Sequence, residues 1–345
     1  MEFAIGATDL AELLGSAVAL NLLFHIPLSW AIVITAFDVL LLLALQAFGM
    51  RIIEAVVAVF VLTIGVCYGI EIFVLPRTQP DFLEMGRALL NPSLHQEGML
   101  VIAIGMIGAT VMPHNLYLHS ALVQTRKIKR DSASIQSALR FNAIDSTVAL
   151  GIAFLVNAAI LVLAANVFFG KDHLAVAGGE VVSFSPQSDW LRIAHLTLAP
   201  LLGTTLASTL FAVALLASGQ SSTITGTIAG QVVMEGFMNW RIRPWIRRMT
   251  SRLLAIIPAI WIVGVRGNRS VTDLVNLSQV LLCLVLPLAM FPLLQFTSSK
   301  RIMGKWANGW LLLFVGWGSA LLITALDIYS LPESLGTAWH IVSGR

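Results

Sequence analysis

The chain is short of charge. Asp, Glu, Lys and Arg make up 11% of its 345 residues, against about 25% in an ordinary soluble domain. Hydrophobic residues take 57%. A water-facing fold cannot hide that much apolar surface in its core, so a soluble globular protein is excluded and lipid is the solvent for most of the chain. Cysteine is scarce as well. Cys67 and Cys283 each sit inside an apolar run without metal-type spacing, which excludes a disulfide framework and reads both as small buried hydrophobes. The histidines lack metalloprotease spacing, and there is no nucleophile motif or phosphate-binding loop, so an intramembrane enzyme finds little support. The basic clusters lie in short loops beside apolar spans, which removes nucleic acid as a partner. No organic cofactor is suggested.

What the chain has in quantity is long apolar runs. Crossing about 30 Å of hydrocarbon takes roughly 20 apolar residues of helix. Nine segments qualify, at 3–23, 27–48, 52–75, 98–124, 135–168, 199–237, 249–265, 272–297 and 308–329. The fifth and sixth exceed one straight crossing and are expected to include extramembrane turns or tilt. None alternates apolar and polar residues over the ten or so positions of a membrane β-strand. The fold class is an all-α integral membrane protein, expected as a single transmembrane domain over 1–345.

The loops set the orientation. Arg126, Lys127, Lys129 and Arg130 follow the fourth span, Arg241, Arg243, Arg247 and Arg248 the sixth, and Lys300, Arg301 and Lys305 the eighth. If the spans alternate, all three clusters share one side, which the positive-inside rule makes cytoplasmic. The two longest loops, 76–97 and 169–190, fall opposite, with only Arg77, Arg87 and Lys171 between them. Residue 1 is then cytoplasmic and the C-terminus external, in a plasma (inner) membrane. The chain enters an apolar helix directly after Met1-Glu2, and Asp9 and Glu12 rule out a signal peptide. The expectation is that preceding helices are lacking.

The fourth span carries the clearest chemistry. It reads Gly105-Met-Ile-Gly-Ala-Thr-Val-Met-Pro-His-Asn-Leu-Tyr-Leu-His119. Pro113 has no amide hydrogen and clashes with the preceding turn; with Gly105 and Gly108 before it, a helix break is expected near 109–113. A break at membrane depth exposes carbonyls and half-helix ends that can hold an ion, and it is tolerated only where it lines a cavity. Met112 sits at the break, either as core filler or as a soft ligand whose thioether prefers transition metals to calcium and magnesium. His114 and His119 lie about 140° apart on a helix, too far to share one ion. Each is a proton relay or an interhelical hydrogen-bonding group.

Acidic residues inside the first span point the same way. Glu2, Asp9 and Glu12 enter the membrane, where carboxylates are costly and face a cavity or a cation; Asp9 and Glu12, three apart, share a face. Arg247, Arg248 and Arg252 at the start of the seventh span are available partners. A proton wire and a static salt bridge both fit. The sixth span carries Ala217-Ser-Gly-Gln-Ser-Ser-Thr-Ile-Thr-Gly-Thr-Ile-Ala-Gly-Gln231, read mainly as a packing and hydrogen-bonding surface, with lining of the path as the second choice. In the eighth span, Gln279 offers a carbonyl oxygen to an ion or to a neighbouring helix.

Three of these segments resemble a known family. Gly108-Ala-Thr-Val-Met-Pro-His-Asn-Leu-Tyr-Leu-His-Ser-Ala-Leu-Val-Gln124 is similar to the sixth-helix signature of the Nramp family, in particular its bacterial manganese transporters of the MntH type. Gly219–Phe237 resembles the family's eighth helix, and Ala7-Thr-Asp-Leu-Ala-Glu-Leu-Leu-Gly15 its third. The resemblance covers essentially the whole chain. It implies a LeuT-like inverted-repeat helical bundle in which the nine spans are family helices three to eleven. It implies metal ligation by the Ala109 carbonyl and the Met112 sulfur, joined by Gln279 in some states. It links His114, His119, Glu2, Asp9, Glu12 and Arg252 to proton movement or its salt bridges, with Arg248 as an alternative to Arg252.

The implied activity is proton-coupled import of divalent transition metals by a monomer: chiefly Mn²⁺, with Fe²⁺, Co²⁺ and Cd²⁺ as further candidates. One departure stands out. The family's first helix carries an Asp-Pro-Gly-Asn break that completes the metal site, and this sequence has no Asp-Pro-Gly. Ala109 and Met112 are neutral donors, so weak or no transport by this polypeptide alone is expected, with a transport-inactive fragment as the second reading. An amino-acid transporter of the same architecture is a further possibility, against which Met112 at the break argues.

Overall fold

A computed structural model of the chain describes residues 1–35, 37, 48–70, 82–91, 99–129, 131–169, 173–175, 181–183, 193, 205–238, 243–267 and 270–343. These residues are overwhelmingly helical. In chain order the elements are α1 (Glu2–Phe24), α2 (Leu28–Thr35), α3 (Met50–Gly69), α4 (Phe82–Leu90), α5 (Met99–Thr110), α6 (Pro113–Gln124) and α7 (Ser132–Phe168). A small hairpin of β1 (His173–Ala175) and β2 (Val181–Ser183) follows. Then come α8 (Thr205–Met238), α9 (Pro244–Arg266), α10 (Ser270–Ser298), the single turn α11 (Lys300–Met303) and α12 (Trp310–Ser343). The hairpin is antiparallel, with His173 opposite Ser183.

Each of the nine expected spans contains helix. Five helical stretches among the described residues are long and apolar enough to cross a membrane: Glu2–Phe24, Met99–Gln124, Ser132–Asn166, Val271–Ser298 and Trp310–Gly336. Residues 36 and 38–47 of the second span, 71–75 of the third, 199–204 of the sixth, and Arg77, Arg130, Lys171 and Arg241 lie outside the described residues.

Of the two alternatives for the long fifth and sixth spans, an interrupting turn is absent among the described residues, which leaves tilt or a helical extension: α7 runs 37 residues and α8 runs 34 without a break. At 1.5 Å per residue α7 is about 55 Å long, well beyond the hydrocarbon thickness, and its excess lies at its polar start. There the Asp131 carboxylate caps the helix by accepting a hydrogen bond from the Ser134 amide at 3.0 Å. Arg247 and Arg248, counted above both in the basic cluster after the sixth span and at the start of the seventh, fall in the first turns of α9, which opens on Pro244.

The chain divides into two compact units: residues 1–14, 93–118 and 225–345, and residues 15–92 and 119–224. In the first, α10 packs against α5, α9 and α12, and α12 also touches α5. In the second, α3 packs along α7 around Cys67, Tyr68, Leu163 and Ala214. Both cysteines are free and buried, as expected. Also in this unit, α1 passes to α2 through a tight corner. His25 takes φ 56°, a left-handed conformation that is costly for a residue with a Cβ. The Asn21 side-chain amide holds the corner by donating to the Ile26 carbonyl at 2.7 Å.

Candidate metal site and buried charge network

The expected break is present. α5 ends at Thr110 and α6 begins at Pro113, with Val111 and Met112 between them. Its cause is covalent. A helical carbonyl accepts from the amide four residues on, and for Ala109 that residue is Pro113, which has no N–H. Val111 still donates back to Ile107 at 2.8 Å, while Asn115 donates to Met112 at 3.1 Å. Met112 thus occupies the cap position before a proline that starts a new helix. Its side chain is half-buried and Ala109 is exposed.

The break is pressed against α10. A Cβ on Gly108 would collide with the Gln279 carbonyl oxygen and lie 2.8 Å from the Cys283 amide nitrogen. The backbones of α5 and α10 therefore meet one residue before Ala109, at a distance that only glycine permits. One turn earlier Gly105 faces Gln279 Cβ and Val280 at ordinary contact distance. Gln279, half-buried, thus lies alongside the last turn of α5, and its side-chain amide donates to Ser278 Oγ at 3.0 Å. This close approach brings α10 to the broken helix.

The acidic residues of α1 are gathered with arginines of α9. Asp9 is fully buried and Glu12 nearly so. Arg252 is the largest fully buried side chain described, and its Nη1 donates to the Asp9 backbone carbonyl at 3.1 Å. Arg248's side chain lies outside the described residues. Glu2 pairs with Arg247: Nη2 donates to Oε2 at 3.2 Å, with the arginine side chain 6% exposed and the glutamate 37%. Arg247 also donates from Nε to Met234 Sδ at 3.0 Å and from Nη1 to the Thr227 carbonyl at 3.4 Å. His114 is buried, and the charges acting on it are those of Asp9 and Arg247. His119 is exposed on another side of α6, with Ser146 Oγ 3.4 Å from its Nε2.

The polar tract of α8 explains how these charges fit. A Cβ on Gly226 would sit 3.2 Å from Glu12 Oε1, and one on Gly230 would overlap the Arg247 guanidinium. Further along, Gly219 faces Ser16. The tract is therefore a packing surface, as expected, but two of its glycines make room for charged side chains. Arg247 stood among the available partners of the acids, whereas Met234 and Gly230 were not singled out as site residues. The available signal was the pair of glycines four apart on α8, which marks a notch without saying what fills it.

Comparison with known proteins gives the same reading. The family model described as natural resistance-associated macrophage protein-like (Nramp) matches residues 1–333. The divalent metal cation transporter MntH of Listeria monocytogenes is 47% identical over 336 residues, covering 97% of this chain and 72% of that protein. The MntH of a Nostoc species is 47% identical over 339 residues, covering 97% and 73%. Among solved structures, the Eremococcus coleocola manganese transporter bound to an aromatic bis-isothiourea compound superposes with TM-score 0.82 at 39% identity, covering 96% of this chain and 70% of that one. A mutant of the same transporter superposes at 0.84 and 38%, covering 98% and 71%. These relatives are transporters and not enzymes, and the all-helical architecture is theirs, a LeuT-like fold. A proline-broken helix packed on α10, buried acids against arginines, and a match over nearly the whole length agree: the chain is a membrane protein of the Nramp family.

Proposed function

We propose that the chain carries divalent transition-metal ions across the membrane, chiefly Mn²⁺, with Fe²⁺, Co²⁺ and Cd²⁺ also accepted, and that protons move inward with the metal. One observation carries the metal reading: the opened turn between α5 and α6, where the Ala109 oxygen has lost its helical donor to Pro113 three residues from the Met112 thioether. A carbonyl oxygen suits any divalent cation, and the sulfur adds a preference for transition metals over calcium and magnesium. Gln279, alongside the same turn, is a third donor. The names of the curated relatives, divalent metal cation transporters matched over 97% of this chain, support a metal cargo over an amino acid and a working transporter over an inert fragment.

Proton coupling draws on the buried groups. Carboxylates at membrane depth are costly and persist where they carry function; Asp9 and Glu12 are buried, Arg252 donates to the Asp9 backbone carbonyl, and His114 lies in the field of Asp9 and Arg247. In this reading a proton moves along that set as the metal site empties and fills, and Glu2–Arg247 closes its end. The chain acts as a monomer in the plasma (inner) membrane, its first residue cytoplasmic and its C-terminus external.

The test is reconstitution in liposomes, with a metal-sensitive dye and a pH dye inside. Mn²⁺ entry with acidification of the lumen is expected. Mn²⁺ entry without acidification removes the coupling. Met112→Ala is expected to admit Ca²⁺; a variant that still excludes Ca²⁺ and Mg²⁺ while carrying Mn²⁺ removes the thioether from the mechanism.

A further inference from the structure

The last helix is inside out. Among the described residues of α12, the buried ones are Ala320, Asp327, Ser330 and Ser334, while most of its Leu, Ile and Phe residues are exposed and Leu313, Trp317, Ile323 and Leu326 are half-buried. Positions 320, 327, 330 and 334 share one face of a helix, and α12 packs against α10 and α5. Asp327 is 4% exposed, and among the described residues no N–H or O–H group donates to its carboxyl oxygens, whose one hydrogen-bonding neighbour is the Cys283 thiol; Ser334 Oγ has no partner. The Ser330 hydroxyl turns back to the Asp327 backbone carbonyl at 3.2 Å. The side chain beside the carboxyl is the Cys283 thiol of α10, itself fully buried. Native interiors rarely leave buried polar atoms unsatisfied, and an acidic side chain within a membrane span marks an ion path by default.

The location is informative. Cys283 is the residue whose amide nitrogen lies against Gly108, so the Asp327–Cys283 pair stands one helix contact from the broken turn. Its chemistry is a hard carboxylate oxygen beside a soft sulfur, with a serine hydroxyl one turn away. That donor set suits borderline and soft divalent metals and not alkali ions.

We infer that Asp327 and Cys283 form a second binding station for a divalent transition-metal ion, between α10 and α12. The inference rests on the metal-transport reading for its cargo, but on residues separate from Ala109, Met112 and Gln279. On binding, a metal–sulfur bond forms as the S–H bond breaks; the thiol proton is released to solvent and the carboxylate supplies an oxygen ligand.

Cd²⁺ is the probe, because a cadmium thiolate has an ultraviolet charge-transfer band that thioether, carbonyl and carboxylate ligands do not produce. The purified full chain carrying Cys67→Ser, which leaves Cys283 as its one thiol, is titrated with Cd²⁺ in detergent. A saturable band is expected, abolished by Cys283→Ser and shifted at least tenfold to higher Cd²⁺ by Asp327→Asn, with Met112→Ala leaving it unchanged. Both test substitutions are near-isosteric, and each variant is first checked for wild-type elution. No band, or a band indifferent to Asp327→Asn, overturns the station. Loss of Mn²⁺ uptake in Met112→Ala with the band intact supports two separate sites, whereas loss of the band in Met112→Ala overturns the station. A band without any Mn²⁺ uptake by the parent chain overturns only the transport reading.

Discussion

Gly108→Ala adds one methyl group at the place where α5 and α10 touch. Its Cβ would overlap the Gln279 carbonyl oxygen and stand 2.8 Å from the Cys283 amide nitrogen. Non-bonded heavy atoms settle at about 3.5–4.0 Å, so even the milder contact requires α10 to retreat by roughly 0.7 Å, and the carbonyl requires more. Both obstacles are backbone atoms within a continuous helix, so no rotamer change relieves them. Overpacking of this kind costs about 1–3 kcal/mol. Gly105 lies one turn away on the same face and supplies the control: a Cβ there meets Val280 Cγ2 at 3.8 Å and Gln279 Cβ at 4.0 Å. Gly105→Ala should therefore be neutral or slightly stabilising, since alanine favours helix over glycine by about 1 kcal/mol. The assay is the midpoint of thermal aggregation in detergent, followed by fluorescence-detected size exclusion, with Mn²⁺ uptake measured in parallel. Gly108→Ala should lower the midpoint and uptake together while Gly105→Ala preserves both. Equal behaviour of the two variants would refute the close approach of α5 and α10.

Three further outcomes follow from the same geometry. Gly230→Ala displaces the Arg247 guanidinium and so breaks its pair with Glu2; a double-mutant cycle with Glu2→Gln should be non-additive, and simple additivity of the two losses would mean that the notch does not seat the arginine. Arg252→Ala removes a fully buried cation that donates to the Asp9 carbonyl, and should cost about 3–5 kcal/mol in denaturant titration; a loss below 1 kcal/mol would place this arginine in a solvated setting. The Asp131 carboxyl is held below its ordinary value by the Ser134 amide it accepts from. Its contribution to the first turn of α7 is therefore present above the usual carboxylate range and lost as pH falls through its own lowered value. Hydrogen exchange at Ser134 should speed up in that acid range and be fast at every pH in Asp131→Ala; an acid-insensitive Ser134 amide removes the cap.

How much of this could be read from the sequence depends on whether its cause is local. The break at 111–112 was legible because Pro113 removes the donor for Ala109 within one turn, whatever the rest of the chain does. The ends of α7 and α8 were not, because hydropathy marks where lipid begins and a helix can continue through polar residues beyond it. The pairing of Glu2 with Arg247 spans 245 positions and depends on which of several arginines the packing selects; the residues alone offered Arg247, Arg248 and Arg252, and the resemblance pointed to Arg252 or Arg248. Asp327 left a local trace, an acid closing the apolar run that starts at Trp310, with serines three and seven residues on, but counting spans averages such a residue away.

The glycines of α8 mark the limit most sharply. Small residues in a membrane helix ordinarily mean that another backbone comes close, and Gly108 does meet backbone atoms of α10. Gly226 and Gly230 instead face the ends of charged side chains, Glu12 and Arg247. The two uses leave the same letter in the sequence and respond differently to a methyl group. At Gly108 the neighbour is a helix that must move as a body. At Gly230 it is the tip of an arginine, which can swing away and keep the fold while it abandons Glu2. Replacement at 108 should thus lower stability and transport together, whereas replacement at 230 should leave most of the stability and alter the pH dependence of uptake. Identical stability losses at the two positions would show that α8, too, meets a backbone there, and would return its tract to simple helix packing.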